Sequence, residues 1–191
     1  MNILFINACT RPNSRTQLLA QYLLGKLTGN IHERNLTQTA ISPLSADMVE
    51  LRDKLTAQGN FDHPLFALAK EFAAADQIVV AAPFWDLSFP ALLKIYIENI
   101  NALGITFAYR ADGKPYGLCK ARQLYYVTTA GGPIFNDSYG YGYVQALAQN
   151  FYGIPKTDCI KAENLDVDGA DVDAILHRTK HGIDTLLAQD E

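Results

Sequence analysis

The chain has 191 residues, 16 Lys+Arg against 20 Asp+Glu, and a formal net charge of −4. At roughly 150 residues per domain this fits a single domain over 1–191, able to bury roughly 70% of its unfolded surface. Hydrophobic residues at 49% and charged residues at 19% exclude a disordered chain, and the absence of any basic run speaks against a nucleic-acid partner.

No segment approaches about 18 uninterrupted apolar residues, so no membrane span is expected. Met1 to Ala8 lacks the basic start of a signal peptide, which points to a cytoplasmic protein. Cys9, Cys119 and Cys159 are far apart and show no CxxC spacing, so neither a disulfide framework nor a metal site is expected.

In chain order, Asn2 to Ala8 reads as a short apolar strand and Arg15 to Leu27 as a helix. Its stripe is Leu18, Leu19, Tyr22, Leu23 and Leu27. Ile31 to Leu36 is a weaker, more polar strand of sheet-edge type, and Ala46 to Gln58 a helix between Pro43 and Gly59. His63 to Ala75 predicts a helix that runs into Gln77 to Ala82, an unbroken apolar strand suited to a sheet covered on both faces. After the loop Pro83–Pro90, with Ser88 as a cap, comes a helix over Ala91 to Ala102. The excursion Ile105 to Leu118 turns at Asp112-Gly113. Gln123 to Thr129 is another buried strand. Then follow a Gly- and Tyr-rich loop, a helix over Tyr143 to Tyr152, a strand near Asp158 to Ala162 and a helix over Ala170 to Gln189. About five strands alternating with about five helices require crossovers, hence an α/β doubly wound parallel sheet with helices on both faces.

In such sheets ligands bind beyond the carboxyl ends of the strands, near the reversal of strand order. Three loops there have unusual compositions. Cys9–Thr16 sets Thr10, Ser14 and Thr16 with Arg11 and Arg15 before a helix N-terminus, a place for phosphate, although Ser14 could equally be a simple helix cap. It matches neither GxxxxGK[ST] nor GxGxxG. Pro83–Phe89 carries the only Trp, Trp85, beside Phe84, which suits a flat ring. Thr128–Tyr143 offers Gly131-Gly132 after a strand, then Tyr139, Tyr141 and Tyr143 as a lid, a dimer surface or ordinary packing. A phosphate cradle with two ring-gripping loops fits a mononucleotide such as FMN. His177 and His181 lack the setting of a zinc site, and Asp166, Asp168, Asp171 and Asp173 fail the calcium-loop pattern and read as an acidic helix start.

The segment Pro83-Phe84-Trp85-Asp86-Leu87, the helix PALLKIYIENI, Gly104-Ile105-Thr106-Phe107-Ala108-Tyr109 and Thr129-Ala130-Gly131-Gly132 together resemble the FMN-dependent NAD(P)H:quinone oxidoreductase and azoreductase family. The amino-terminal strand and SRT segment fit as well. The resemblance implies a flavodoxin-like five-stranded fold. It implies that Thr10, Ser14, Arg15 and Thr16 hold the FMN phosphate and ribityl chain. Pro83, Phe84, Trp85, Asp86 and Leu87 would run along the ring, and Thr129, Ala130, Gly131 and Gly132 would cover its pyrimidine end. Phe107, from the partner of a homodimer, and Tyr139 would wall the substrate slot. The implied reaction is hydride transfer from NADH or NADPH through flavin N5 to a quinone or similar small aromatic acceptor, by a ping-pong mechanism with no catalytic side chain. The family usually carries Tyr and Asn where Trp85 and Asp86 stand, and often Arg where Ala130 stands. The alternatives are a flavodoxin-type one-electron carrier and a non-catalytic flavin sensor, with Cys9 as its redox switch.

Overall fold

In NILFIN every residue but the first is buried, and this segment forms β1 (Asn2–Asn7), an interior strand of the sheet in a computed structural model. The structure describes residues 1–189; the last two residues of the single-domain expectation, 190–191, lie outside the described residues. Four further strands join β1. They are β2 (Asn30–Asn35), β3 (Gln77–Ala81), a strand over Gln123–Thr129 and one over Lys156–Ala162. A short hairpin of β4 (Phe107–Tyr109) and β5 (Pro115–Gly117) intervenes in sequence, so these last two are β6 and β7. The order β2-β1-β3-β6-β7 is parallel throughout. This is the flavodoxin-like arrangement, whose switch point lies between β1 and β3.

Strand β3 is buried at every position because both faces are covered. Ile78 and Val80 point into one layer with Phe72, Leu93, Tyr96 and Val144, whereas Val79 and Ala81 point into the other with Leu19, Leu23 and Ile183. The second layer is made by α1 (Arg15–Leu24) and α6 (Val172–Ala188); the first by α3 (Ala67–Ala74), α4 (Ala91–Ile100) and α5 (Tyr141–Leu147). Helix α2 (Ala46–Ala57) adds Leu55 to a satellite cluster with Phe66 and Ala102. No helix among the described residues is long and apolar enough to cross a membrane.

Several expected boundaries move for local reasons. Helix α1 stops at Leu24 because Gly25 ends it, and Lys26 and Leu27 make only tighter i to i−3 bonds. The helix expected over His63 to Ala75 begins as a 3₁₀ turn at Pro64–Phe66, with the His63 ring accepting from Leu65 N–H. The helix expected over Tyr143 to Tyr152 starts at Tyr141 and ends in a π turn over Ala148–Tyr152. Asp171 caps α6 by accepting from Ala174 N–H at 2.9 Å.

Candidate functional site

The carboxyl ends of β1, β3 and β6 open onto a cleft of about 400 Å³, within the usual range for a small-molecule site. Its walls come from the three expected loops and from a fourth, the segment after β7.

The first loop leaves β1 at Asn7, whose side-chain oxygen accepts from Cys9 N–H at 3.0 Å and whose amide donates to Glu33 at 2.8 Å. Thr10, Arg11, Asn13, Ser14, Arg15 and Thr16 line the cleft. Ser14 caps α1 by accepting from Gln17 N–H at 3.3 Å. The N–H groups of Arg15 and Thr16 find no acceptor among the described residues. They are the free donors a helix start presents to an anion. Thr16 is fully buried, and its hydroxyl shares a 2.6 Å hydrogen bond with that of Thr129. One O–H is used between the two threonines and the other stays available.

Pro83, Phe84 and Trp85 form the second wall, with Phe84 N–H donating to the Thr129 carbonyl at 2.9 Å. Asp86 and Leu87 stand at the tip of a turn beside the cleft and do not line it. Ser88 does not cap the following helix. Its hydroxyl donates to the Tyr139 carbonyl at 2.6 Å, and α4 starts after Pro90 without a side-chain cap.

Thr129, Ala130 and Gly131 make the third wall; Gly132 falls just outside it. Trp85, Leu87, Phe135 and Tyr139 are 38%, 57%, 87% and 60% exposed, a large apolar rim on these two loops. Phe107 lies elsewhere. It is buried against Phe151 and Tyr109, on the hairpin rather than in this cleft. Its neighbour Thr106 is fully buried and donates to the Ile100 carbonyl at 2.8 Å, so within one chain this stretch fixes the hairpin to α4.

Leu165 and Asp166, not among the expected site residues, complete the cleft. Arg15 reaches across to donate to Asp166 at 2.7 Å and to the Leu165 carbonyl at 3.2 Å. Asp166 is therefore part of the wall, and the acidic helix start falls instead to Asp171 and Asp173. The sequence held one signal for this, since the loop after the last parallel strand also opens on the ligand end of the sheet. Burial pushes the Cys9 thiol up, so Cys9 is a protonated thiol packed against the sheet. Among the described residues no cluster of His, Cys, Asp and Glu could hold a metal.

A family model described as a flavodoxin-like fold matches residues 1–187. An FMN-dependent NADH:quinone oxidoreductase of Clostridium acetobutylicum is 36% identical over 189 residues, covering 93% of each chain. The chain belongs to this family. A second FMN-dependent NADH:quinone oxidoreductase, from Clostridium beijerinckii, is 32% identical with 91% of each chain covered. The solved structure of an FMN-dependent NADH-azoreductase from Bacillus anthracis in complex with FMN superposes with a TM-score of 0.82. It is 20% identical and covers 98% of both chains, so that likeness speaks for the fold.

Proposed function

We propose that this chain moves a hydride from NADH or NADPH to a quinone or similar aromatic acceptor with FMN as its cofactor. The observation that carries this reading is the cleft at the β1/β3 switch point, with unspent donors at one end and an aromatic wall at the other. The residues present fit the group. A phosphate at the start of α1 meets the free N–H groups of Arg15 and Thr16, the Thr10 and Ser14 hydroxyls and the helix dipole. Trp85 and Phe84 offer faces for a flat ring, and the chain at Thr129–Gly131 supplies backbone to its other edge. FMN held there would supply two-electron hydride transfer at N5, its two substrates using one slot in ping-pong order.

The protein's own part is binding, orientation and electrostatics. The helix start fixes the anion, and the Thr16–Thr129 pair joins the phosphate wall to the opposite loop. Asp86 and Leu87 keep backbone N–H groups that no group among the described residues accepts, so they remain for a ring edge. The same reading includes a homodimer in which Phe107 and Tyr139 wall the acceptor slot. The exposed Leu103, Tyr109, Tyr116 and Leu118 on and beside the β4–β5 hairpin support such an interface.

The test is an anaerobic visible spectrum of FMN-reconstituted protein during titration with NADH and then NADPH. Rapid bleaching of the flavin, followed by recovery on adding a quinone, is the expected result. Flavin that neither nucleotide reduces would favour a one-electron carrier, and failure to retain FMN would overturn the reading.

A further inference from the structure

The chain leaves β3 through Pro83 and Phe84 and then reverses within four residues. Ser88 N–H donates to the Trp85 carbonyl at 2.8 Å, and Trp85 N–H to the Ser88 carbonyl at 3.1 Å. Both residues between them are left-handed, Asp86 at φ 50° and Leu87 at φ 65°. That is the form of a type I′ turn, which ordinarily carries Asn or Gly because a Cβ crowds the backbone in this region. A backbone held there by Asp and Leu persists only where its surroundings over-determine it.

The bonds inside the turn shape it but do not fix it in space. Ser88 does that. Its hydroxyl reaches the Tyr139 carbonyl at 2.6 Å, across 51 residues of chain, in the loop that follows β6. Behind it Phe84 N–H holds the Thr129 carbonyl, and a Cβ on Gly140 would touch the Phe84 ring at 3.6 Å. Two cleft loops are thus tied at their bases by backbone and at their tips by one hydroxyl. Trp85, the chain's only Trp, stands between these ties.

We propose that Ser88 is a positioning residue, clamping the Trp85–Ser88 turn to the Tyr139 loop so that the cleft wall is set before ligand arrives. This rests on the FMN reading above. The clamp holds Trp85 and the free Asp86 and Leu87 N–H groups in one arrangement, and ordering them is then no part of the cost of binding. Without it the turn must be ordered when the ligand binds. A hydroxyl–carbonyl bond partly open to water is modest, so the expected loss of FMN affinity is about three- to tenfold.

Ser88→Ala and Ser88→Thr are compared with the wild type in two measurements. In the FMN-free protein, Trp85 emission and its quenching by acrylamide report the wall directly. FMN affinity is then read by titration. The expected result is that Ser88→Ala shifts Trp85 emission to longer wavelength, quenches more readily and binds FMN about three- to tenfold more weakly. Ser88→Thr, which keeps the hydroxyl, restores both. Thermal unfolding checks that each variant folds, and Ser88→Cys, a poor donor of similar shape, replaces the alanine variant should it not. Unchanged emission and affinity in Ser88→Ala would overturn the clamp, as would a threonine variant that behaves like alanine. If the wild type does not retain FMN, the functional reading falls, while the FMN-free Trp85 comparison still decides the clamp.

Discussion

Gly131 has no room for a side chain. A Cβ there would stand 2.5 Å from Asp166 Oδ2 and 3.2 Å from the Asp166 Cβ. The same carboxylate accepts from Arg15, and Asp166 N–H donates to the Gly131 carbonyl at 2.9 Å. Gly131→Ala therefore pushes the carboxylate off Arg15 and is expected to cost about 1–2 kcal/mol of stability. Asp166→Ala removes an ion pair open to water and costs about 0.5 kcal/mol. With both changes the added methyl meets no carboxylate, so the double variant loses about 1 kcal/mol less than the sum of the singles. Urea unfolding of the four proteins measures this, and strictly additive costs would show that Asp166 is not what excludes a side chain at position 131. Gly131-Gly132 after a strand reads as a place where backbone approaches a ligand, whereas the neighbour that excludes a side chain at Gly131 is Asp166. That neighbour was not legible in the sequence, because Arg15, the partner of Asp166, lies 151 residues away from it and local pattern carries no such information.

Between residue and fold, the β4–β5 hairpin shows what period and turn chemistry reveal. Alternation at Ile105, Phe107 and Tyr109 with a turn at Asp112-Gly113 marks an excursion from the sheet, which the structure makes an antiparallel hairpin. The structure closes it by Arg110 N–H to the Lys114 carbonyl at 2.8 Å, with Gly113 at φ 80°. Periodicity did not say where the hairpin rests. Gly117 lies on the backbone at the end of the π turn, where a Cβ would stand 2.0 Å from Gly153 N and 2.0 Å from the Tyr152 carbonyl carbon. The turn ends there because Gly153 takes the left-handed φ of 74°. No side-chain rotation relieves a clash with backbone, so Gly117→Ala is expected to cost about 3 kcal/mol. Gly182→Ala, with open space around its Cβ, is the control and stays within about 1 kcal/mol of the wild type. Chemical denaturation of the two variants separates them; equal costs would mean that the hairpin yields freely to the added methyl. The strands β1 and β6 were readable nearly to the residue because a central parallel strand is a continuous apolar run. The π turn was not, since its extra residue per turn leaves the apolar spacing almost unchanged.

At the scale of the whole molecule, doubly wound topology follows from the alternation of strands and helices, and the polar NIHERN segment marks β2 as an edge. The depth of the resulting core has a consequence for alkaline stability. Burial pushes the Cys119 and Cys159 thiols up to about 12 from an ordinary 9.0, and the Cys9 thiol upward as well. The Tyr96, Tyr126 and Tyr152 hydroxyls are raised above their ordinary 10.0 by the same desolvation. Each group is neutral in the fold and ionises first in the unfolded chain. Below pH 9 both states hold these protons and stability is unaffected. Above pH 9 the unfolded state binds fewer protons than the fold, so stability falls as pH rises through the window from about 9 to about 12. The thermal midpoint is accordingly expected to hold level between pH 7 and 9 and then to decline steadily, first from the thiols and beyond pH 10 from the tyrosines as well. Replacing Cys119 and Cys159 with Ala leaves only Cys9 of the three raised thiols, so the double variant should decline less steeply than the wild type between pH 9 and 10, before the tyrosines take over. A wild-type midpoint that stays level to pH 11 would mean that these groups ionise in the fold as readily as in water.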